Sequence, residues 1–232
     1  NFINQTVLYG FKANYMLLGL KSKVFKFLTN KYNLMVRPKF ETMPLPKIDE
    51  VHILNLKALT CREALLECLP KGGVVAELGV DFGGFSEKIL KISKPAKLHL
   101  IDVWQSNRYP EKLFHEVSQK FSEELNTGQV VINRGYSTEV GSEFEDEYFD
   151  WIYIDTAHSY KVTKAELEMY MPKMKNGGII AGHDFIIGEI DVPWKYGVIE
   201  AVYEFCKTYH WEIIYLTMER EIPPSFAIRK IS

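Results

Sequence analysis

The chain has 232 residues, 47% of them hydrophobic and 25% charged, with 28 Lys and Arg against 30 Asp and Glu for a net charge of −2. That apolar content excludes a disordered chain, 15 Gly and 10 Pro exclude collagen-like and low-complexity classes, and no apolar run approaches the ~18 residues of a membrane span. Cys61, Cys68 and Cys206 are too few, and odd in number, for a disulfide framework; with no signal-peptide pattern at the start, they read as reduced thiols of a cytoplasmic protein.

Charge is unevenly placed. The first 40 residues hold seven basic groups (Lys12, Lys21, Lys23, Lys26, Lys31, Arg37, Lys39) and no acid, which leaves 21 basic and 30 acidic residues, a net of −9, in the remainder. Phe11, Tyr15 and Leu18, then Val24, Phe25 and Leu28, recur at roughly helical spacing among the lysines and predict one or two short helices. Arg37-Pro38 and Met43-Pro44-Leu45-Pro46 interrupt regular structure, because proline lacks an N–H and restricts the residue before it. Residues 37–50 therefore read as a linker, between a basic helical extension within 1–50 and a main domain at 51–232. The first residue is Asn rather than Met, which suits a processed chain or a module of a longer polypeptide.

Beyond the linker, helices and strands alternate. Ala58–Leu69 reads as a helix ended by Pro70 and Gly72-Gly73, Val74–Leu78 as a buried strand, Phe85–Ile92 as a helix and Lys97–Asp102 as a second strand. Glu111–Leu125 reads as a helix, Val130–Ile132 as a third strand and Asp150–Asp155 as a fourth. A helix at Thr163–Met174 stops at Asn176-Gly177-Gly178, before a fifth strand at Ile179–Gly182 and a helix at Val198–Tyr209. Trp211–Thr217 and Ser225–Lys230 close the chain as two strands with no helix between them, so one runs antiparallel to its neighbour. Near-continuous apolar strands between helices specify an α/β fold, a doubly wound, mostly parallel sheet covered on both faces.

Such sheets bind ligands beyond the carboxyl ends of their strands, where the strand order reverses. The first strand ends in Glu77-Leu78-Gly79-Val80-Asp81-Phe82-Gly83-Gly84-Phe85-Ser86, a glycine turn that lets a ligand approach the backbone. Asp102, at the end of the second strand, is placed to accept hydrogen bonds from ribose hydroxyls. A nicotinamide dinucleotide needs glycine at position 81, where this chain has Asp, a carboxylate that repels a pyrophosphate. Together with Glu77, that points instead to a cationic ligand with a ribose and no phosphate, S-adenosylmethionine. A nicotinamide-dependent sugar oxidoreductase and a non-catalytic binding module are the competing readings.

Glu77-Leu78-Gly79-Val80, Gly83-Gly84 and Ser86 resemble motif I of class I S-adenosylmethionine-dependent methyltransferases, closest to the macrocin O-methyltransferase-like group, whose members methylate sugar hydroxyls. The stretches Phe149–Tyr160, Gly177–Phe185 and Gly197–Phe205 resemble segments of the same group, in the same order. The resemblance covers residues 74–205 and not the first 50. It implies a seven-stranded Rossmann-like sheet with an antiparallel last strand, S-adenosylmethionine as cofactor, and O-methylation of a sugar hydroxyl on a glycan or glycosylated metabolite. A fused or associated glycosyltransferase is the matching partner.

Methyl transfer to a hydroxyl requires alignment of the acceptor with the methyl–sulfur axis and removal of its proton by a base or through a metal. Asp155 ends the fourth strand, His158 follows in a polar turn, and His183-Asp184 ends the fifth, so these four converge on one rim. Asp155, His158 and His183 are the catalytic candidates, and Asp155 also borders the cofactor. Asp155 and Asp184 are candidate ligands for a divalent cation. In metal-dependent relatives an acidic or acid–amide pair stands where this chain has His183-Asp184, so Mg²⁺, the more imidazole-tolerant Mn²⁺, and no metal all stay open. Glu77, Gly79, Gly83 and Asp102 are the core cofactor candidates. Trp104 is placed to cover the adenine or ribose, and Gly135, Tyr136 and Ser137 follow the third strand, where this fold puts the adenine amine. Trp194 and Tyr196, in a loop at 186–196, suit stacking on the apolar face of an acceptor sugar. The basic extension reads as a lid or homodimerisation arm, a joint to a preceding domain, or a membrane-surface element. Nucleic acid is disfavoured by the acidic body.

Overall fold

The computed structural model describes residues 22–28, 31, 44–105, 110–188 and 195–231. The chain divides into two compact units, 1–44 and 45–232. In the first, residues 22–28 are helical and exposed. The predicted helix through Phe11, Tyr15 and Leu18, residues 37–43 of the linker, and Trp194 lie outside the described residues.

The second unit is built on eight strands: β1 (Lys57–Leu59), β2 (Val74–Leu78), β3 (Lys97–Asp102), β4 (Val130–Arg134), β5 (Phe149–Ile154), β6 (Met174–Gly182), β7 (Trp211–Thr217) and β8 (Phe226–Lys230). They form one sheet in the order β1-β7-β8-β6-β5-β2-β3-β4, parallel throughout except that β8 runs antiparallel to both β6 and β7. The helices are α1 (Arg62–Cys68), α2 (Gly84–Ser93), α3 (Glu111–Lys120), α4 (Ser122–Thr127), α5 (Ser137–Gly141), α6 (Tyr160–Tyr170) and α7 (Val198–Tyr209).

Two-residue periodicity divides the strand side chains between two cores. Ala76, Leu78, Ile152, Ile154 and Ile180 face Leu167 and Tyr170 of α6 and Val198, Val202 and Phe205 of α7. Val75, Leu98, Leu100, Trp151 and Tyr153 face Leu65 and Leu66 of α1, Phe85 and Ile89 of α2 and Val117 of α3. The chain winds outward from β2 through β3 to β4, then returns to β5 on the other side of β2. The reversal between β2 and β5 leaves the crevice of a doubly wound sheet beyond Leu78 and Ile154.

Four readings of the sequence need correction. The helix expected at Ala58–Leu69 begins only at Arg62, because Lys57–Leu59 is taken by the open edge of β7, where Ala58 sits opposite Leu216. The sheet thus has eight strands, one more than expected. The helix expected at Glu111–Leu125 breaks at Phe121, whose ring is buried. The helix expected at Thr163–Met174 starts earlier, at Tyr160, where the Ser159 hydroxyl accepts from the Val162 amide. It also ends earlier: Met174 already belongs to β6, and Asn176-Gly177-Gly178 lies inside that strand.

Candidate active site

Backbone conformation marks the rim. Asp81, Trp104, His158 and Asp184 all have positive φ (52°, 40°, 49° and 57°), and each lies just beyond the carboxyl end of β2, β3, β5 or β6. Asp and His tolerate this region better than Trp does, but each departure costs of order 1–3 kcal/mol and persists only where the surroundings enforce it.

The turn after β2 requires its glycines. Gly79 has φ 84°, and a Cβ there would fall 2.0 Å from the Asp155 carbonyl oxygen. Gly83 has φ 70°, and a Cβ would fall 2.7 Å from the Phe121 ring. Gly84 faces open space at the start of α2, whose first-turn amides have no partner within the helix. Asp102 holds this turn from β3: its Oδ2 accepts from the Val80 amide at 2.8 Å and the Asp81 amide at 3.1 Å, and its Oδ1 accepts from the Trp104 amide at 3.2 Å. Trp104 has a different place from the one expected of it. Its indole is fully buried against Phe114, with its N–H donating to the Asp81 carbonyl at 3.2 Å. It presents no open face to an adenine and instead braces the turn from below. Gly135 donates to the Asp102 carbonyl at 3.0 Å, Tyr136 is exposed, and the Ser137 hydroxyl donates to Glu166.

Glu77 is almost wholly buried in β2 and accepts from the Ser86 hydroxyl of α2. Burial pushes its carboxyl up to about 8, against the Ser86 hydrogen bond, so it is protonated in the ligand-free protein at neutral pH. Its unfolded form ionises near 4.5. Between those values the unfolded chain binds fewer protons than the folded one, so stability falls as pH rises from about 4.5 to about 8 and is flat beyond. Glu77→Gln removes this term. Between pH 5 and pH 9, wild type is expected to lose about 4 kcal/mol relative to the variant in urea denaturation. Parallel losses in both proteins would contradict a buried, protonated Glu77.

Across the crevice, Asp155, His158, His183 and Asp184 meet as expected. His158 Nδ1 lies 2.8 Å and His183 Nδ1 3.1 Å from the same Asp184 oxygen, and His183 Nδ1 lies 3.7 Å from Asp155. Asp184 is buried, which alone would raise its pKa, but hydrogen bonds from His158 and His183 hold it well below the usual carboxylate range. Asp155 shifts upward, because burial and the neighbouring Asp184 charge outweigh the pull of the imidazoles and Arg62. The Asp155 amide donates to the Leu78 carbonyl and the His183 amide to the Ile154 carbonyl, so the sheet's own ladder fixes both residues beside Gly79. The His158 ring stacks on Tyr196 at 4.9 Å, and its carbonyl accepts from the Gly197 amide. One ligand atom each from Asp155, His158 and Asp184 lies within 4.8 Å of the others, a spacing and an N/O donor set that fit a divalent cation. The buried His183 Nε2 has no partner.

Two residues here were missed from sequence. Glu166 of α6 is fully buried and accepts from Ser137 and from Thr156 at 2.8 Å, and burial raises its pKa to about 7. Arg62, in the first turn of α1, lies 3.8 Å from Asp155 and 4.7 Å over the Phe85 ring. A separate hollow of about 490 Å³, lined by Met171, Lys175 and Trp211 among others, lies at the opposite rim of the sheet, remote from this chemistry.

Residues 76–185, from β2 to just past the end of β6, match the model of a methyltransferase domain family. Among solved structures, the chain is similar to a putative rRNA-methylase from Clostridium thermocellum (15% identity, TM-score 0.55, 74% of this chain and 94% of that one). It is also similar to the O-methyltransferase TomG from Streptomyces achromogenes, solved in complex with S-adenosylmethionine (13% identity, TM-score 0.55, 74% and 79%). The fold is that of the class I S-adenosylmethionine-dependent methyltransferases. A curated relative, the uncharacterized protein y4gI of Sinorhizobium fredii (strain NBRC 101917 / NGR234), is 24% identical over 131 residues, which are 53% of this chain and 14% of that protein. The chain thus spans only a small part of that relative's length. The three cysteines are free, and among the described residues no helix is long and apolar enough to cross a membrane.

Proposed function

We propose that the chain is an S-adenosylmethionine-dependent O-methyltransferase acting on a sugar hydroxyl of a glycan or glycosylated metabolite. The observation that carries this reading is the Asp155, His158, His183 and Asp184 cluster, set against the glycine turn at Gly79. S-adenosylmethionine, when bound, supplies an electrophilic methyl group on a sulfonium. Glu77 and Asp102 are the acids on the cofactor side, suited to its ammonium and ribose. His158, oriented by Asp184 and by stacking on Tyr196, takes the acceptor hydroxyl's proton as its oxygen attacks, while the electron pair of the breaking carbon–sulfur bond stays on sulfur. Asp184 stays ionised and stabilises the imidazolium that forms. The sugar rests on the likeness of four segments to the macrocin group; Tyr196 is buried against the His158 ring and offers no open face to it. Asp81, with its amide turned to Asp102, weighs against a pyrophosphate at this turn and so against a nicotinamide cofactor.

Asp155, His158 and Asp184 would hold a divalent cation, Mn²⁺ ahead of Mg²⁺ because of the imidazole. Such an ion would supply Lewis-acid polarisation of the acceptor hydroxyl, and His158, as its ligand, would then not serve as the base. The test is methyl transfer from labelled S-adenosylmethionine to a panel of glycosides, with EDTA and after Mn²⁺ is restored. A glycoside is expected to be methylated, with at least a tenfold fall in EDTA that Mn²⁺ reverses. Full turnover in EDTA would assign deprotonation to the imidazoles without a metal. Cofactor binding with no turnover on any acceptor would favour a non-catalytic module.

A further inference from the structure

We infer that Arg62 binds the α-carboxylate of the cofactor's methionine and so selects adenosyl ligands that carry the full amino acid. This rests on the S-adenosylmethionine reading of the site.

A zwitterionic tail needs both signs of charge within a few ångströms. The acids are in place on one face of the sheet: Glu77 in β2, and Asp155, which follows Tyr153 by two residues and so continues its side of β5. Arg62 is the cation that meets them. Leu65 and Leu66 are completely buried and pin α1 to that face. The Arg62 backbone amide donates to Glu219, which anchors the first turn. The guanidinium is thereby held over Phe85, the second residue of α2 and the neighbour of Gly84. A guanidinium resting on a ring keeps its N–H edge for a planar partner.

A counter-ion devoted to Asp155 would make a close, charge-assisted pair at about 2.7–2.9 Å. The Arg62–Asp155 separation is 3.8 Å, beyond hydrogen-bonding range, and Arg62 Nε is buried without a partner. The side chain is only 20% exposed, so solvent does little to replace what is missing. A carboxylate accepted by this edge, beside Gly84 and the free amides of α2, leaves the adjoining ammonium to the acids.

The test is calorimetry with two ligands that differ in one group: S-adenosylhomocysteine, and S-adenosyl-3-thiopropylamine, which keeps the amine and lacks the carboxylate. Arg62→Met is expected to weaken S-adenosylhomocysteine about 30-fold and to leave the decarboxylated ligand within threefold. Arg62→Lys, which keeps the charge and loses the fork, is expected to lose about fivefold on the first ligand alone, and serves where the Met variant fails to fold. Equal weakening of both ligands, or no weakening of either, would overturn the inference. Wild-type protein that binds neither ligand would remove the methyltransferase reading together with it. Normal wild-type binding with an indifferent Arg62 would remove this inference alone.

Discussion

Asp102→Ala is expected to lower affinity for S-adenosylhomocysteine at least 100-fold and to destabilise the ligand-free protein by about 2–4 kcal/mol. The carboxylate is nearly buried and receives three backbone amides, from Val80, Asp81 and Trp104. Alanine leaves those donors without their acceptor, at about 1–3 kcal/mol for each one shut off from water. The turn they hold forms the floor of the crevice, and under the proposed function its loosening and the loss of a ribose acceptor act together. Calorimetry and thermal denaturation read the two effects separately. A destabilised protein with full affinity would make Asp102 an anchor of the turn and nothing more.

Asp184→Asn is expected to reduce turnover about 1,000-fold while leaving S-adenosylhomocysteine affinity within about threefold. The substitution is nearly isosteric, but it removes the charge that two imidazoles share at 2.8 Å and 3.1 Å. A base without its orienting carboxylate loses both its tautomer and the stabilisation of its protonated form, and general-base catalysis is worth about 10²–10⁴. The proposed cofactor side of the crevice, with Glu77, Gly79 and Asp102, is not held by Asp184. Steady-state kinetics at saturating cofactor, set beside a binding isotherm, separates the two quantities. Unchanged turnover would take the His–Asp pair out of the mechanism.

The strands and the rim were legible because their signals are local. The apolar runs at Val74–Leu78 and Lys97–Asp102 have the observed boundaries, and a glycine turn after a buried strand, followed by an acid closing the next strand, specifies the crevice in order along the chain. Asp155, His158, His183 and Asp184 were identifiable for the same reason, since each follows a strand end. What escaped was tertiary. Lys57–Leu59 has no strand pattern of its own and is extended only because β7 offers an open edge. Trp104, just past Asp102, carries the signal of a cofactor cover, yet the chain turns through positive φ there and sends the indole into the core. Glu166 reads as an ordinary polar position of a helix until Ser137 and Thr156 close on it from elsewhere in the chain. Arg62 lies 15 residues before Glu77, inside the helix expected at Ala58–Leu69, and nothing local in the sequence ties it to the crevice. Only the docking of α1 brings it to the crevice.

The most direct test of this account is titration of the wild-type protein with S-adenosylhomocysteine in a calorimeter, at pH 7 and in two buffers of different ionisation enthalpy. Saturable one-to-one binding is expected, with proton release as Glu77 gives up its proton to meet the ligand's ammonium. The absence of any binding heat up to millimolar ligand, in either buffer, would contradict it.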